Sequence, residues 1–230
     1  MKALVNCEIA KEFAKITGVN TVELKPYKKL SPPVSAHADM LFCILDKTVF
    51  CYEDYVTENN LYDIIRGEGY DLVFVSCECG QEYPSDVSLN VLVMGKTIFC
   101  NVKHTAKEII DYANANGYTV CHVKQGYCAC STLVVDENTA VTSDIGMERA
   151  LLAVGKDVLL VENRDIILSG YDCGFIGGAT GNIGGSVCFF GNCKAMADGE
   201  KISKLLYDKN IDIKPISTGR VCDFGGIKVL

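Results

Sequence analysis

Hydrophobic positions along this chain alternate between short strand-like runs and longer stretches with helical spacing. Leu4, Ile9, Phe13 and Ile16 recur at helical intervals and predict a helix over 1–17, followed by a short strand Thr21–Leu24. Lys25–Ser35, with Pro26, Pro32 and Pro33, reads as a loop. Met40–Leu45, an Asp-Lys turn and Thr48–Tyr52 form a hairpin signature, then a helix over Thr57–Arg66 and a strand over Asp71–Cys77.

The same order returns along the chain. Leu89–Met94, the turn Gly95-Lys96 and Thr97–Asn101 predict a second hairpin, followed by a helix Thr105–Asn116 and a strand Tyr118–Val123. The third unit has strands Thr132–Val135 and Thr139–Thr142, a helix Gly146–Val154, a strand Asp157–Val161 and an extra hairpin at Asp165–Leu168. The fourth starts at Val187–Phe190, turns at Gly191-Asn192, and continues to helix Gly199–Lys209 and strand Ile211–Ile216. The fifth is split: Gly225–Leu230 supplies an inner strand, and the N-terminal helix and strand supply the rest. Inner strands start near Met40, Leu89, Thr132, Val187 and Ile227, about 46 residues apart on average, which is a repeat signature. The expectation is a single domain over 1–230 with units at about 40–88, 89–131, 132–186, 187–226, and 227–230 joined with 1–39. A closed ring of five would remove the exposed sheet edge. An ordinary α/β sandwich of ββαβ elements is the alternative.

Composition narrows the function classes. The chain has 230 residues, 49% hydrophobic and 22% charged, and a net charge of −7. An acidic chain argues against a nucleic-acid partner and against an anionic membrane surface, and suits a cationic small molecule. No apolar run approaches the roughly 20 residues of a membrane span, and Glu8 falls too early for a signal peptide. A cytoplasmic location is expected. Thirteen cysteines, with no export signal, read as reduced thiols serving mostly as small core residues. Cys77-Glu78-Cys79, Cys128-Ala129-Cys130 and Cys188–Cys193 lack the C-x2-C spacing of zinc sites, so no metal and no cofactor is expected.

Three segments carry a family resemblance: Val34–Met40 (VSAHADM), Gln125–Thr132 (QGYCACST) and Gly170–Gly181 (GYDCGFIGGATG), together with Asp223–Ile227 (DFGGI). On these the chain resembles, over its whole length, the guanidine-modifying or pentein superfamily, which includes arginine deiminase, dimethylarginine dimethylaminohydrolase and amidinotransferases. It is most similar to an uncharacterised bacterial family of that fold. The resemblance implies an α/β fold, a five-bladed propeller of pseudo-five-fold ββαβ repeats whose last blade is closed by the N-terminal segment. It also implies a cysteine-dependent hydrolase or amidinotransferase-like activity on a guanidine or related C–N compound, with a covalent thiol intermediate. Family members place a Cys nucleophile, a His acid/base and guanidinium-holding carboxylates at the mouth of the ring. Here that order is rotated: His37-Ala38-Asp39 opens the first unit, Asn90 the second, Cys128–Ser131 the third and Asp223–Gly226 the fifth. The characterised enzymes carry the Cys near the C-terminus, where this chain ends in Ile227-Lys228-Val229-Leu230.

Each candidate has a structural alternative. Cys130 is the expected nucleophile or a buried core thiol; Cys128, two residues away, would share its side if the segment is a strand. His37 suits general acid/base work or caps a loop. Asp39 would orient the imidazole or hold a guanidinium, and extended backbone would put it on the face of His37. Asp223, Asn90, Cys128, Ser131, Gly177 and Gly178 complete the expected binding set, though Asn90, like Asp86, reads more readily as a turn residue after Pro84. The glycine-rich stretch Gly174–Gly185 could cradle an anion or form a tight loop needing positive φ. A non-catalytic binding ring, for a protein partner or as a small-molecule sensor, is the alternative function.

Overall fold

A computed structural model describes residues 1–230. In chain order the strands and helices are β1 (Lys2–Asn6), α1 (Ala10–Thr17), β2 (Asn20–Leu24), α2 (Ala38–Leu41), β3 (Phe42–Leu45), β4 (Thr48–Cys51), α3 (Glu53–Glu58), α4 (Tyr62–Gly67) and β5 (Asp71–Phe74). They continue with β6 (Leu92–Met94), β7 (Thr97–Cys100), α5 (Lys107–Ala115), β8 (Thr119–His122), β9 (Thr132–Val134), β10 (Thr139–Thr142), α6 (Ile145–Ala153) and β11 (Asp157–Leu160). The last are β12 (Thr180–Ile183), β13 (Ser186–Phe189), α7 (Gly199–Asp208), β14 (Asp212–Pro215) and β15 (Ile227–Val229). No helix is long and apolar enough to cross a membrane.

The strands form five three-stranded sheets: β3-β4-β5, β6-β7-β8, β9-β10-β11, β12-β13-β14 and β15-β1-β2. Every sheet follows one rule. Its middle strand pairs antiparallel with the first strand and parallel with the third. A short turn suffices for the antiparallel pair, whereas the parallel pair needs a crossover, which in each unit is helical. The turns use left-handed backbone at Asp46, Gly95, Gly184 and Gly185. The middle strands β4, β10 and β13 are buried at every position, so they read as continuous apolar or small-residue runs rather than alternating ones. One strand from each sheet, β3, β6, β9, β12 and β15, lines a common cavity of about 290 Å³.

Several sequence expectations are corrected. The stretch 1–17 is a strand followed by a helix: Ala3, Leu4 and Val5 are all buried, because β1 is the middle strand of its sheet and not a helix face. Thr57–Arg66 is two short helices broken at Asn60, which takes a left-handed φ of 54°. Asp165–Leu168 forms no hairpin, only a single bridge from Ile167 to Cys222. The fourth unit starts at Thr180, not Val187: its inner strand β12 lies within the glycine-rich stretch, and Val187 belongs to the middle strand β13. All thirteen cysteines are free thiols.

Candidate functional site

The residues just before the five inner strands converge. Asp39 precedes β3, Asn90 precedes β6, Cys130 precedes β9, Gly178 precedes β12 and Gly225 precedes β15. A series of hydrogen bonds links them. The Asp39 N–H donates to the Gly225 carbonyl at 3.0 Å, Gly226 N–H to the Gly178 carbonyl at 2.8 Å, and Gly178 N–H to the Cys130 carbonyl at 3.0 Å. The Asn90 side-chain carbonyl accepts from Ala129 N–H at 2.8 Å and Cys130 N–H at 3.3 Å, and its NH2 donates to the Asp39 carbonyl at 3.2 Å. The series thus returns to the residue where it began. Asn90 makes two of its links, because a primary amide carries both a donor and an acceptor.

Glycine is required where these segments touch. A Cβ on Gly178 would lie 2.1 Å from Asp223 Oδ1. Gly225 has φ 79°, and a Cβ there would lie 2.2 Å from the His37 Cβ. The glycine-rich stretch thus serves close approach of backbone in its first half and a two-residue hairpin turn, Gly184-Gly185, at its end.

The polar side chains of this end are deeply buried: His37 is 1% exposed, Asn90 1%, Asp39 3%, Asp223 4% and Cys130 4%. Asp223 is held by its backbone neighbours, Phe175 N–H on Oδ2 at 2.8 Å and Gly225 N–H on Oδ1 at 3.0 Å. His37 Nδ1 sits 3.7 Å from Asp223 Oδ1, beyond hydrogen-bond length. His37 Nε2 and both carboxylate oxygens of Asp39 have no hydrogen-bond partner. Burial pushes the Asp39 carboxyl up to about 6; the adjacent His37 eases it down and Asp223 drives it further up. Burial, then the charges of Asp39 and Asp223, pushes the Cys130 thiol well above its ordinary range. The Asn90 NH2, 2.9 Å from the Cys130 sulfur, counters this.

His37, Asp39, Asn90, Cys130, Asp223 and Gly178 therefore come together, with Gly177 packed against the carbonyls of Ala129, Cys130 and Thr132. Cys128 does not join them. Residues 127–131 form a helical turn, with Ser131 N–H on the Tyr127 carbonyl, so side chains two apart diverge by about 200°. Cys128 packs instead against Leu92, Met94 and Phe99, and its thiol faces the Gln125 carbonyl. Ser131, fully buried, donates its hydroxyl to the Cys128 carbonyl at 3.2 Å. His37 and Asp39 share the site though only His37 is extended: it is the N-cap of the single helical turn α2, on which Asp39 lies.

Sequence reading missed Lys228, which lines the cavity together with Asp39. Its signal was a lone cation inside an apolar inner strand, Ile227-Lys228-Val229. Also missed was an aromatic stack of Tyr83, Tyr127 and Phe175 beside the site. There the Tyr127 hydroxyl donates to the buried Asp86 at 2.7 Å.

A family model described as a family of unknown function (DUF6873) matches residues 3–228. The chain belongs to that family. No curated protein matches the sequence. Among solved structures, the chain is similar to DDAH (dimethylarginine dimethylaminohydrolase) from Pseudomonas aeruginosa complexed with citrulline. That match has a TM-score of 0.55 at 8% identity, covering 92% of this chain and 82% of that one. An amidinotransferase of saxitoxin biosynthesis from Microseira wollei matches with a TM-score of 0.56 at 12% identity, covering 92% and 75%. The inosamine-phosphate amidinotransferase of Streptomyces griseus matches with a TM-score of 0.54 at 13% identity, covering 95% and 75%. At these identities the likeness speaks to fold alone: a mixed α/β structure of small three-stranded sheets, similar to those solved structures.

Proposed function

We propose that the five sheets close around the cavity as a five-bladed α/β propeller in one domain, and that its carboxylate end acts on a guanidine or related C–N compound. The observation carrying this reading is Asp39: a carboxylate 3% exposed, beside the Cys130 thiol, with neither oxygen hydrogen-bonded. A planar guanidinium satisfies both oxygens of such a group at once. Asp223 would add a second acceptor. The names of the similar structures, a dimethylaminohydrolase and two amidinotransferases, agree with this substrate class.

In this reading His37 takes the Cys130 proton and the sulfur attacks the guanidinium carbon. The C–N bond to the leaving amine breaks, and the amine departs with the proton from His37, leaving an amidino-thioether on Cys130. Water, or an acceptor amine, then displaces the thiol. Positive charge arriving beside Cys130 offsets the carboxylates that hold its proton on, so the thiolate forms only with ligand bound. Incubation with arginine, agmatine and methylated arginines, with detection of released amine and ureido product, tests this. Turnover abolished in Cys130→Ala is expected; turnover surviving that substitution sinks the mechanism.

The deep burial of Cys130, with its thiol already held protonated, favours a second reading: a binding protein that recognises the cation without reacting. It is distinguished by ligand-induced thermal stabilisation equal in wild type and Cys130→Ala, with no product in either.

A further inference from the structure

The cavity contains only two charged side chains among those lining it, Asp39 and Lys228. Neither is paired in a salt bridge within the protein. No donor reaches the Asp39 carboxylate with hydrogen-bond geometry, the Cys130 thiol and His37 being its polar neighbours, and Lys228 enters no ion pair. The Lys228 charge is nonetheless felt within the ring of inner strands, since it eases down both Asp39 and the buried Cys43 thiol of β3, which burial holds up at about 12.

The other polar side chains on the wall are already engaged within the protein. Thr132 Oγ1 lies 3.4 Å from Thr142 Oγ1, Thr180 Oγ1 donates to the Ile176 carbonyl at 2.7 Å, and the Asn182 NH2 donates to the Val135 carbonyl at 2.8 Å. The larger remaining side chains are apolar, among them Ile44, Val91, Val93, Leu133, Val134 and Val229, with backbone exposed at Gly177, Gly181 and Gly226. At about 290 Å³ the space suits a small metabolite, at the lower end of ligand-pocket sizes. An occupant that complements both charges carries one cationic head, an apolar body and one anionic end.

We propose that the cavity selects an ω-guanidino acid: a guanidinium on Asp39, an alkyl body against the apolar strands, and a terminal carboxylate on Lys228. This rests on the reading of Asp39 as the guanidinium anchor and adds the other end of the ligand. It also excludes the α-amino acid arginine as the preferred ligand. No second acid lines the wall, so an α-ammonium would lose water without gaining a partner. Lys228 is on this account a specificity residue that holds the end of the ligand opposite the guanidinium.

The test is calorimetric titration of the full-length protein with γ-guanidinobutanoate, guanidinoacetate, butylguanidine and arginine. An ω-guanidino acid binding about tenfold or more tightly than both arginine and butylguanidine is expected, an unpaired charge or a lost ion pair being worth at least that factor. Lys228→Met should abolish the preference for the carboxylate over butylguanidine; because a ratio of affinities is read, general loosening of the fold does not mimic it. Arginine binding as tightly as the ω-guanidino acids, or a ratio unchanged in Lys228→Met, overturns the proposal. If binding in those cases is still lost in Asp39→Asn, the guanidinium anchor stands without it. Binding of none of the four compounds to the wild type overturns both.

Discussion

Asn90 shows how much one buried side chain can organise. Its amide joins the first, second and third strand-start segments and also donates to the Cys130 sulfur. Asn90→Ala would take the acceptor from the part-buried Ala129 N–H and the buried Cys130 N–H, and is expected to lower unfolding free energy by about 2–3 kcal/mol. Urea denaturation reads this directly; a change within error of wild type would mean that the links through Asn90 are incidental. Asp39 makes a different prediction. Its carboxyl is raised from an ordinary 3.8 to about 6 by burial. Below the lower value the group is neutral in both folded and unfolded chains. Between the two the unfolded chain loses its proton first, so this group's contribution to stability falls with rising pH, by about 3 kcal/mol in total, and levels off above pH 6. Asp39→Asn should therefore gain on the wild type across that window and hold a constant advantage above it. Matched denaturation series at several pH values check this, and a pH-independent difference between the two proteins contradicts it. Cation binding runs the opposite way, tightening as pH rises through about 6. His37, Asp39, Cys130 and Asp223 were legible as candidates because chemistry-bearing residues cluster before apolar strand runs. Lys228 was not, since nothing local in Ile227-Lys228-Val229 tells which face of the strand is enclosed.

At the scale of elements, hairpins were legible and irregular turns were not. Thr48-Val49-Phe50-Cys51 and Thr97-Ile98-Phe99-Cys100 repeat almost residue for residue and are both middle strands. β12 was hidden by its composition, because Gly181 and Asn182 are poor strand formers. Gly181 is there for proximity: a Cβ would fall 2.2 Å from the Ile227 side chain of β15. The turn at 127–131 misled in another way, since a two-residue spacing was read with strand periodicity where the backbone is helical. Gly225 tests how tightly the pre-strand segments are fitted. Alanine there meets both a left-handed φ and the His37 Cβ. We expect Gly225→Ala to lose about 2 kcal/mol or more and to weaken guanidinium binding by displacing His37. A variant with wild-type stability and affinity would show that the segment can shift freely.

Over the whole molecule, the repeat period was legible because each unit reuses one wiring, and the split fifth unit followed from it. What spacing could not reveal was the role of the first residues: β1 pairs on one side with β2 in parallel and on the other with β15 antiparallel, joining Ala3 to Val229. That seam has a mechanical consequence. Lys2 and Leu230 face each other, with backbone hydrogen bonds of 3.3 and 2.8 Å between them. Tension applied to Met1 and Leu230 therefore loads the antiparallel β1–β15 ladder from one end, parting its bonds one after another instead of sharing the load among them. Stretched between its two ends, the molecule should peel open at β15 at low force, while handles placed at the hairpin turns Asp46 and Gly184 should require a larger force. Optical-tweezer traces from the two geometries compare them, and a single rupture at equal force in both would contradict the unzipping geometry. The pair of strands that completes the fifth sheet is thus also the place where a pull releases Lys228 from the cavity first.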